Sequence, residues 1–280
     1  MERDDVDAAP PQTPTTGNGL PVLGLGTYRN TDPAQCAESV RTALERGYRH
    51  VDTAQLYDNE RAVGEGIARA DVDREDVYLA TKVWYTNLAS DDVVETTRES
   101  LERLGVEYVD LLYVHWPTET YDAEETLAAY SQLYDDGIVD AVGVSNFTPE
   151  LLEEAIDVCD APIVANQVEL HPLLQQPELR KACERHGVDV VAYAPIARGT
   201  VFDRPVLSEI AAARDVTEAQ VSLAWLRQSG VVAIPKATGK AHIRENLESL
   251  SLELEPDEIE RIDAIETEER IVDPEFGPWN

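Results

Sequence analysis

Lysine is nearly missing from this 280-residue sequence, in which only Lys82, Lys181, Lys236 and Lys240 occur. All basic residues together number 23 against 55 acidic ones, and the formal net charge is −32. So negative a chain is a poor binder of nucleic acids or anionic membranes. The acidic residues are spread over many segments, 71–76 among them. Scarce lysine with abundant acid predicts adaptation to a salt-rich cytoplasm, against the alternative of an ordinary acidic protein.

Cysteine and long apolar runs are also scarce. The three cysteines, Cys36, Cys159 and Cys183, show no C-x-x-C spacing, which argues against a disulfide framework or a zinc site. We therefore expect buried structural thiols and no metal. No apolar run reaches 18 residues, and the acidic, Pro/Thr-rich start lacks the features of a secretory signal. We expect a cytoplasmic protein with a flexible lead-in over residues 1–17 and one folded domain over 18–280.

Short β-rich runs alternate with longer amphipathic stretches. The eight predicted strands are Val22–Leu25, Tyr48–Asp52, Val77–Lys82, Val109–His115, Ala141–Val144, Ile163–Gln167, Asp189–Tyr193 and Val231–Pro235. Helices are predicted near 34–46, 59–70, 91–103, 124–136, 149–157, 177–186, 217–228 and 240–248, with an extra pair near 206–214 and 257–265. Helix starts are marked by Ser90, Thr148 and Thr217, and helix ends by Gly47, Gly105, Gly137 and Gly187.

This alternation predicts an α/β protein with a parallel sheet. The even spacing of the strands favours a closed (β/α)8 TIM barrel in a single domain over an open sheet. No G-x-G-x-x-G follows the first strand, because Gly24-Leu25-Gly26 continues differently, so a Rossmann fold is disfavoured.

Four residues at or just after predicted strand ends can carry chemistry: Asp52, Tyr57, Lys82 and His115. Each has a plain structural reading as a turn cap, a packing tyrosine, a paired lysine or a core histidine. The active sites of parallel barrels gather at the C-terminal ends of the strands, so the four together predict one shared site.

The four side chains suit carbonyl reduction. A tyrosine can donate a proton to the carbonyl oxygen, and a neighbouring ammonium is expected to lower its pKa from about 10. Asp52 can hold Lys82 charged and in place, and His115 can orient the carbonyl by a hydrogen bond.

Long segments of the chain resemble the aldo-keto reductase family, and within it the small prokaryotic reductases similar to 2,5-diketo-gluconate reductase. The segments that carry the resemblance are 20–28 (LPVLGLGTY), 47–54 (GYRHVDTA), 57–60 (YDNE), 80–84 (ATKVW), 110–117 (DLLYVHWP), 142–147 (VGVSNF), 166–172 (NQVELHP) and 234–236 (IPK). The resemblance implies that Asp52, Tyr57, Lys82 and His115 are the catalytic tetrad of an NADP-dependent reductase of aldehydes and ketones.

The resemblance also implies where cofactor and substrate bind. NADP(H), and with it NAD(H), would be held by Gly26, Thr27, Ser145, Asn146, Gln167, Tyr193, Lys236, Thr238, His242, Glu245 and Asn246. In this reading Ser145, Asn146 and Gln167 hold the nicotinamide carboxamide, Tyr193 stacks on its ring, and residues 194–199 follow the pyrophosphate. The substrate wall would be Tyr28, Trp84, His115 and Trp116.

The sequence departs from the family pattern at one cofactor position. His242 stands where an arginine usually meets the 2′-phosphate, and a neutral histidine lacks the bidentate fork of a guanidinium. We therefore expect Lys236 to carry most of the preference for NADPH. Arg244, two residues later, either compensates or faces solvent.

Two other functions stay open on the sequence alone: a cofactor-binding regulatory subunit without turnover, and an aldolase that forms a Schiff base on Lys82. The expected partner is a small aldehyde or ketone, with no nucleic acid and no membrane. We expect a monomer, with a homo-oligomer as the alternative.

Overall fold

The computed structural model describes residues 13–280. Within this range the strands are β1 Leu25–Gly26, β2 His50–Asp52, β3 Tyr78–Val83, β4 Leu111–Val114, β5 Val142–Ser145, β6 Ile163–Glu169, β7 Asp189–Tyr193 and β8 Val232–Ala233. The helices are α1 Pro33–Glu45, α2 Glu60–Arg69, α3 Ser90–Leu104, α4 Ala123–Asp135, α5 Pro149–Val158, α6 Pro177–His186, α7 Pro205–Arg214, α8 Glu218–Gln228, α9 Lys240–Glu248 and α10 Pro256–Asp263. Every predicted strand and helix is present, with bounds that differ by a few residues.

The eight strands form one parallel sheet in chain order from β1 to β8. Its two edges meet, because Leu23 and Gly26 form parallel bridges with Ala233 and Lys236. The backbone N–H of Gly24 donates to the carbonyl of Ala233 at 2.8 Å. The sheet is therefore a barrel with its helices outside, and the C-terminal ends of all strands open on one face.

Apolar side chains fill the barrel and the layer around it. The inner cluster includes Ala80, Leu111, Tyr113 and Val191, all fully buried. A larger cluster lies between the strands and the helices. Runs such as Leu111–Val114 are buried on both faces of the sheet, which explains why parallel strands of this kind are continuously apolar instead of alternating.

The helix boundaries follow capping chemistry. Thr148 accepts a hydrogen bond from the N–H of Leu151, and Thr217 forms a capping box with Gln220, as predicted. The prediction for Ser90 was wrong, because Ala89 is the N-cap of α3 and Ser90 is its first helical residue. The four predicted glycine stops have positive φ angles, between 67° and 110°.

Residues 13–17 fell in the predicted lead-in, and they lie against the bottom of the barrel. The Thr13 hydroxyl donates to the carbonyl of Gly47, and the Thr16 hydroxyl donates to the carboxylate of Asp189. Leu20, just beyond them, is fully buried in the inner cluster. The rest of the lead-in, residues 1–12, lies outside the described residues. None of the helices described is both long and apolar enough to cross a membrane.

Candidate active site

A cleft of about 700 Å³ opens at the C-terminal ends of the strands. All four residues of the predicted tetrad come from these ends or from the segments directly after them. Asp52 ends β2, Tyr57 lies in the 3-10 turn Gln55–Tyr57, Lys82 is in β3, and His115 follows β4. Asp52, Tyr57 and His115 line the cleft, and Lys82 lies directly behind Tyr57.

Asp52 and Lys82 form a buried ion pair with side chains 2% and 1% exposed. The Lys82 Nζ donates to Asp52 Oδ1 at 2.5 Å and to the carbonyl of Thr53 at 2.8 Å. The second carboxylate oxygen of Asp52 accepts a hydrogen bond from Gln167 Nε2 at 2.7 Å. Burial lowers the pKa of the Lys82 ammonium, while the charge of Asp52 opposes that shift. The ammonium and the carboxylate are therefore paired with each other in a buried place, where either charge without a partner would be strongly destabilising.

Tyr57 lies next to this pair, with its hydroxyl 3.4 Å from Lys82 Nζ. Its ring packs against the rings of Tyr28 and His115, with centroid separations of 5.1 and 5.9 Å. Burial, followed by the charge of Asp52, raises the pKa of the Tyr57 phenol well above 10. The expectation that Lys82 lowers the pKa of Tyr57 is therefore wrong. Because Asp52 compensates the ammonium charge, desolvation decides the shift, and Tyr57 keeps its proton at neutral pH.

His115 lies beside Tyr57 in the lining of the cleft. It is 7% exposed, and its ring lies edge-on to Trp84 at a centroid distance of 5.0 Å. Burial, and then the charge of Lys82, holds the pKa of His115 well below its usual range. The imidazole is therefore neutral near pH 7 and can donate one hydrogen bond without bringing a second cation beside Lys82.

Two buried residues after Tyr57 hold its turn in place. Asn59 donates to the carbonyl of Thr27 at 2.9 Å and accepts from the hydroxyl of Thr53. The carboxylate of Glu60 accepts from the Thr81 hydroxyl at 2.7 Å. These bonds tie the 57–60 segment to the ends of β1, β2 and β3, and so place the tyrosine over the lysine.

Four residues predicted to hold the nicotinamide also meet at the cleft. Asn146, with a left-handed φ of 63°, donates to the carbonyl of His115 at 3.0 Å and to Ser145 Oγ. The hydroxyl of Tyr193 donates to Asn146 Oδ1 at 2.8 Å. Gln167 lines the same cleft, although its amide N–H points to Asp52. Three side chains with amide or hydroxyl groups and one aromatic ring thus line the cleft together, linked by hydrogen bonds.

The predicted phosphate and adenine residues are more dispersed. Gly26 and Lys236 line the cleft, whereas Thr27 is buried and donates its hydroxyl to the carbonyl of Asp52. The cleft lining does not include Thr238, His242, Glu245 or Asn246, which lie on α9 or just before it. Arg244 pairs with Glu248 along the helix at 3.4 Å.

The cleft rim is more basic than the protein as a whole. Arg29, Arg198 and Lys236 line the cleft with Asp52 and Asp273, in a chain of net charge −32. The predicted aromatic wall is present as well, since Tyr28, Trp84 and Trp116 all line the cleft. Within residues 13–280 no three His, Cys, Asp or Glu side chains gather in a way that could hold a metal ion.

The C-terminal tail is part of the cleft, although the sequence did not predict it there. The cleft is also lined by Ile271, Val272, Asp273, Pro274 and Phe276. The ring of Phe276 packs edge-on against Trp116 at a centroid distance of 5.3 Å, and Trp279 packs against the same ring. The sequence signal that could have indicated this is the pair of aromatic residues, Phe276 and Trp279, after the last amphipathic helix.

Comparison with known proteins agrees with this geometry. The sequence model of the Aldo/keto reductase family matches residues 22–267. A methylglyoxal reductase, DkgB, of Escherichia coli O157:H7 is 39% identical over 91% of this chain and 97% of its own. The crystal structure of a putative 2,5-diketo-D-gluconic acid reductase B superposes with a TM-score of 0.89, at 37% identity over 93% of both chains.

A second solved structure is that of an aldo-keto reductase of Bombyx mori in complex with NADP. It superposes with a TM-score of 0.88, at 32% identity over 94% of this chain and 95% of that one. The match of the family model to most of the chain and the relatives above 30% identity agree with each other. This chain belongs to the aldo/keto reductase family.

Proposed function

We propose that this protein reduces aldehydes or ketones to alcohols with NADPH, using Tyr57 as the proton donor. The observation that carries the proposal is the line of contacts from Asp52 through Lys82 to the Tyr57 hydroxyl at one end of the cleft. A phenol that stays protonated at neutral pH can act as a general acid in this position.

The residues of the cleft fit a nicotinamide dinucleotide. Asn146, Ser145 and Gln167 offer the donors and acceptors that a carboxamide needs, and Tyr193 offers a ring face. Arg198 and Lys236 are exposed cations on an otherwise acidic protein, as phosphate groups require. When bound, the reduced nicotinamide supplies the hydride that goes to the carbonyl carbon.

The protein residues perform the rest of the reduction. Neutral His115 donates a hydrogen bond to the carbonyl oxygen and orients it towards Tyr57. The Tyr57 hydroxyl then transfers its proton to that oxygen as negative charge develops there. Lys82 stabilises the tyrosinate that remains, and Asp52 keeps Lys82 in place through the 2.5 Å contact. The aromatic wall excludes water from the reacting atoms.

Two alternatives fit the site less well. A Schiff-base aldolase needs a neutral lysine that is free to attack, whereas Lys82 donates to Asp52, Thr53 and Tyr57 at once. A regulatory subunit without turnover would need no protonated tyrosine beside a lysine. The same proposal includes a salt-rich cytoplasm as the working environment, on the strength of the −32 charge.

Replacement of Tyr57 by phenylalanine tests the proposal. We expect Tyr57→Phe to lower kcat for methylglyoxal about 10²–10⁴-fold, the usual cost of losing a general acid, with NADPH affinity nearly unchanged. The measurements are steady-state kinetics and a fluorescence titration with NADPH.

The matched control is Tyr130→Phe. It removes a hydroxyl that is also buried and donates to the carbonyl of Tyr113, away from the cleft. This control should keep its turnover and lose only some stability. Turnover by Tyr57→Phe at the level of Tyr130→Phe would refute Tyr57 as the proton donor.

A further inference from the structure

The C-terminal tail, residues 266–280, crosses the mouth of the barrel and forms one wall of the cleft. Its Phe276 ring packs against Tyr85 and Trp116 with centroid distances of 4.9 and 5.3 Å. The guanidinium of Arg270 stacks over the Trp279 ring at 3.9 Å, and the indole N–H of Trp279 donates to Asp273. The tail therefore has its own internal contacts, and Phe276 is its aromatic residue in the lining of the cleft.

Few direct bonds join the tail to the barrel. Apart from the ion pair of Glu269 with Arg204, which lies just before α7, they converge on β6 and the loop after it. The N–H of Glu269 donates to the carbonyl of Leu173 at 2.7 Å. The next two bonds go to a single side chain: the N–H groups of Ile271 and Val272 donate to Glu169 Oε1 and Oε2, both at 2.7 Å. Glu169 ends β6 and is fully buried.

A histidine fixes the orientation of this carboxylate. The N–H of Leu173 donates to His171 Nδ1, so the ring proton is on Nε2. That Nε2–H donates to Glu169 Oε1 at 2.9 Å, and both side chains are fully buried. Burial alone would raise the pKa of Glu169, but the bonds from His171, Ile271 and Val272 outweigh it and hold that pKa below its usual range. Two of those three donors belong to the tail.

The pattern calls for a carboxylate. Two successive backbone N–H groups need two acceptor oxygens, and the glutamate offers one to each. A glutamine of the same shape would keep one oxygen and set its NH₂ against the second donor. Glu169 has no place in the proton transfer, since it lies two residues beyond Gln167 in the strand and its oxygens are occupied.

We infer that Glu169 is a positioning residue for substrate recognition: its carboxylate holds the C-terminal tail in place, so that Phe276 closes the pocket against Trp116. The inference rests on the proposed carbonyl reductase function. The tail wall of the substrate pocket and the tetrad are then held in place by different elements of the fold. The tetrad is held by β2, β3 and β4 and by the turn after β2. Recognition of the substrate's apolar body thus depends on a contact about 100 residues away in sequence, at Ile271 and Val272.

The test compares Glu169→Gln with a matched tail variant, Glu275→Gln, whose carboxylate is exposed. For Glu169→Gln we expect the KM of an aromatic aldehyde such as 4-nitrobenzaldehyde to rise about tenfold, because charge-assisted bonds are lost. The KM of methylglyoxal, which is too small to need the Phe276 wall, should change less than about twofold, and so should kcat and NADPH affinity. Glu275→Gln should resemble the parent in all four measurements.

A readout without activity follows the tail itself. Trypsin can cut after Arg270, and cleavage there releases residues 271–280, which mass spectrometry identifies. We expect this cleavage to be about tenfold faster in Glu169→Gln than in the parent or in Glu275→Gln, because it tracks the fraction of undocked tail. A parent that binds no NADPH and reduces no aldehyde would refute the proposed function, while the trypsin result would still report on the tail.

Phe276→Ala keeps the inference testable if Glu169→Gln folds poorly, because it changes only the tail. It should give the same selective rise in the KM of the aromatic aldehyde, and the double variant should add little to either single change. Equal loss on both aldehydes, additive effects in the double variant, or an unchanged rate of cleavage at Arg270 would each overturn the inference.

Discussion

The four lysines fall into two contrasting pairs. Lys82 and Lys236 lie at strand ends beside the cleft, whereas Lys181 and Lys240 lie on outer helices. Lys181 pairs with Glu178 and Lys240 with Glu38, and both lysine side chains are 64% exposed. Lys82, with the same charge, is 1% exposed and has three oxygen partners. Position relative to the barrel, and not charge itself, separates the lysine buried in the candidate site from the lysines whose ion pairs are exposed to solvent.

The largest expected difference is between Lys82→Met and Lys181→Met. Lys82→Met leaves Asp52 buried without its cation, which typically costs about 3–5 kcal/mol of the free energy of unfolding. Turnover of methylglyoxal should fall at least about 10²-fold because the tyrosinate loses its stabilising charge. Urea unfolding and steady-state kinetics measure the two effects.

Lys181→Met is the control for both effects, because exposed pairs contribute little. It should match the parent in its unfolding midpoint and in kcat. The contrast between strand ends and outer helices would be broken if the two variants lost the same stability, or if Lys82→Met kept the turnover of the parent.

An intermediate effect is expected from Lys236→Ala against Lys240→Ala. Lys236 is an exposed cation of the cleft and the expected partner of a 2′-phosphate, and one charge-assisted bond predicts roughly a ten- to hundredfold preference for NADPH over NADH. Lys236→Ala should nearly abolish the preference, and His242→Arg should widen it. The measurement is the ratio of kcat/KM for the two cofactors.

Lys240→Ala should keep that ratio within about twofold of the parent, since Lys240 pairs with Glu38 at 3.2 Å. A ratio that does not respond to Lys236→Ala would mean that the 2′-phosphate is recognised elsewhere.

The smallest stability effect per charge is expected when salt screens the acidic outer surface as a whole. At −32 the acidic exterior repels itself, and raising KCl from 0.1 to 2 M shortens the screening length below about 3 Å. We expect Tm to rise by about 3–5 °C, or about 1–2 kcal/mol spread over all the surface charges. Calorimetry in the two buffers measures it, and a Tm that stays constant or falls would contradict the salt-adapted interpretation.

Local patterns predicted most of the architecture. The ten helices were predictable because apolar spacing, caps such as Thr217 and left-handed glycines are all encoded within a few residues. Ser90 was misplaced by one position because Ala89 carries the extended backbone of the cap while the side-chain signal comes from its neighbour. Boundaries of this kind depend on a single φ/ψ pair, which composition does not specify.

The grouping of the candidate site residues was predictable, but the electrostatic environment that surrounds them was not. Asp52, Tyr57, Lys82 and His115 meet because parallel strands end on one face. The direction of the Tyr57 pKa shift was missed, because it depends on burial and on how completely Asp52 compensates Lys82. The tail was missed for a different reason: its place is set by Glu169, and a contact between positions so far apart leaves no local pattern.

Closure of the barrel also sets an order of events during synthesis. The N–H of Gly24 donates to the carbonyl of Ala233. About 200 further residues must therefore be synthesised before the outer edge of the first strand can be paired. At about 5–20 residues per second this takes roughly 10–40 s on the ribosome. An unpaired strand edge is a template for association with other chains throughout that interval. A nascent chain of this protein therefore has its greatest need of chaperone protection before β8 emerges.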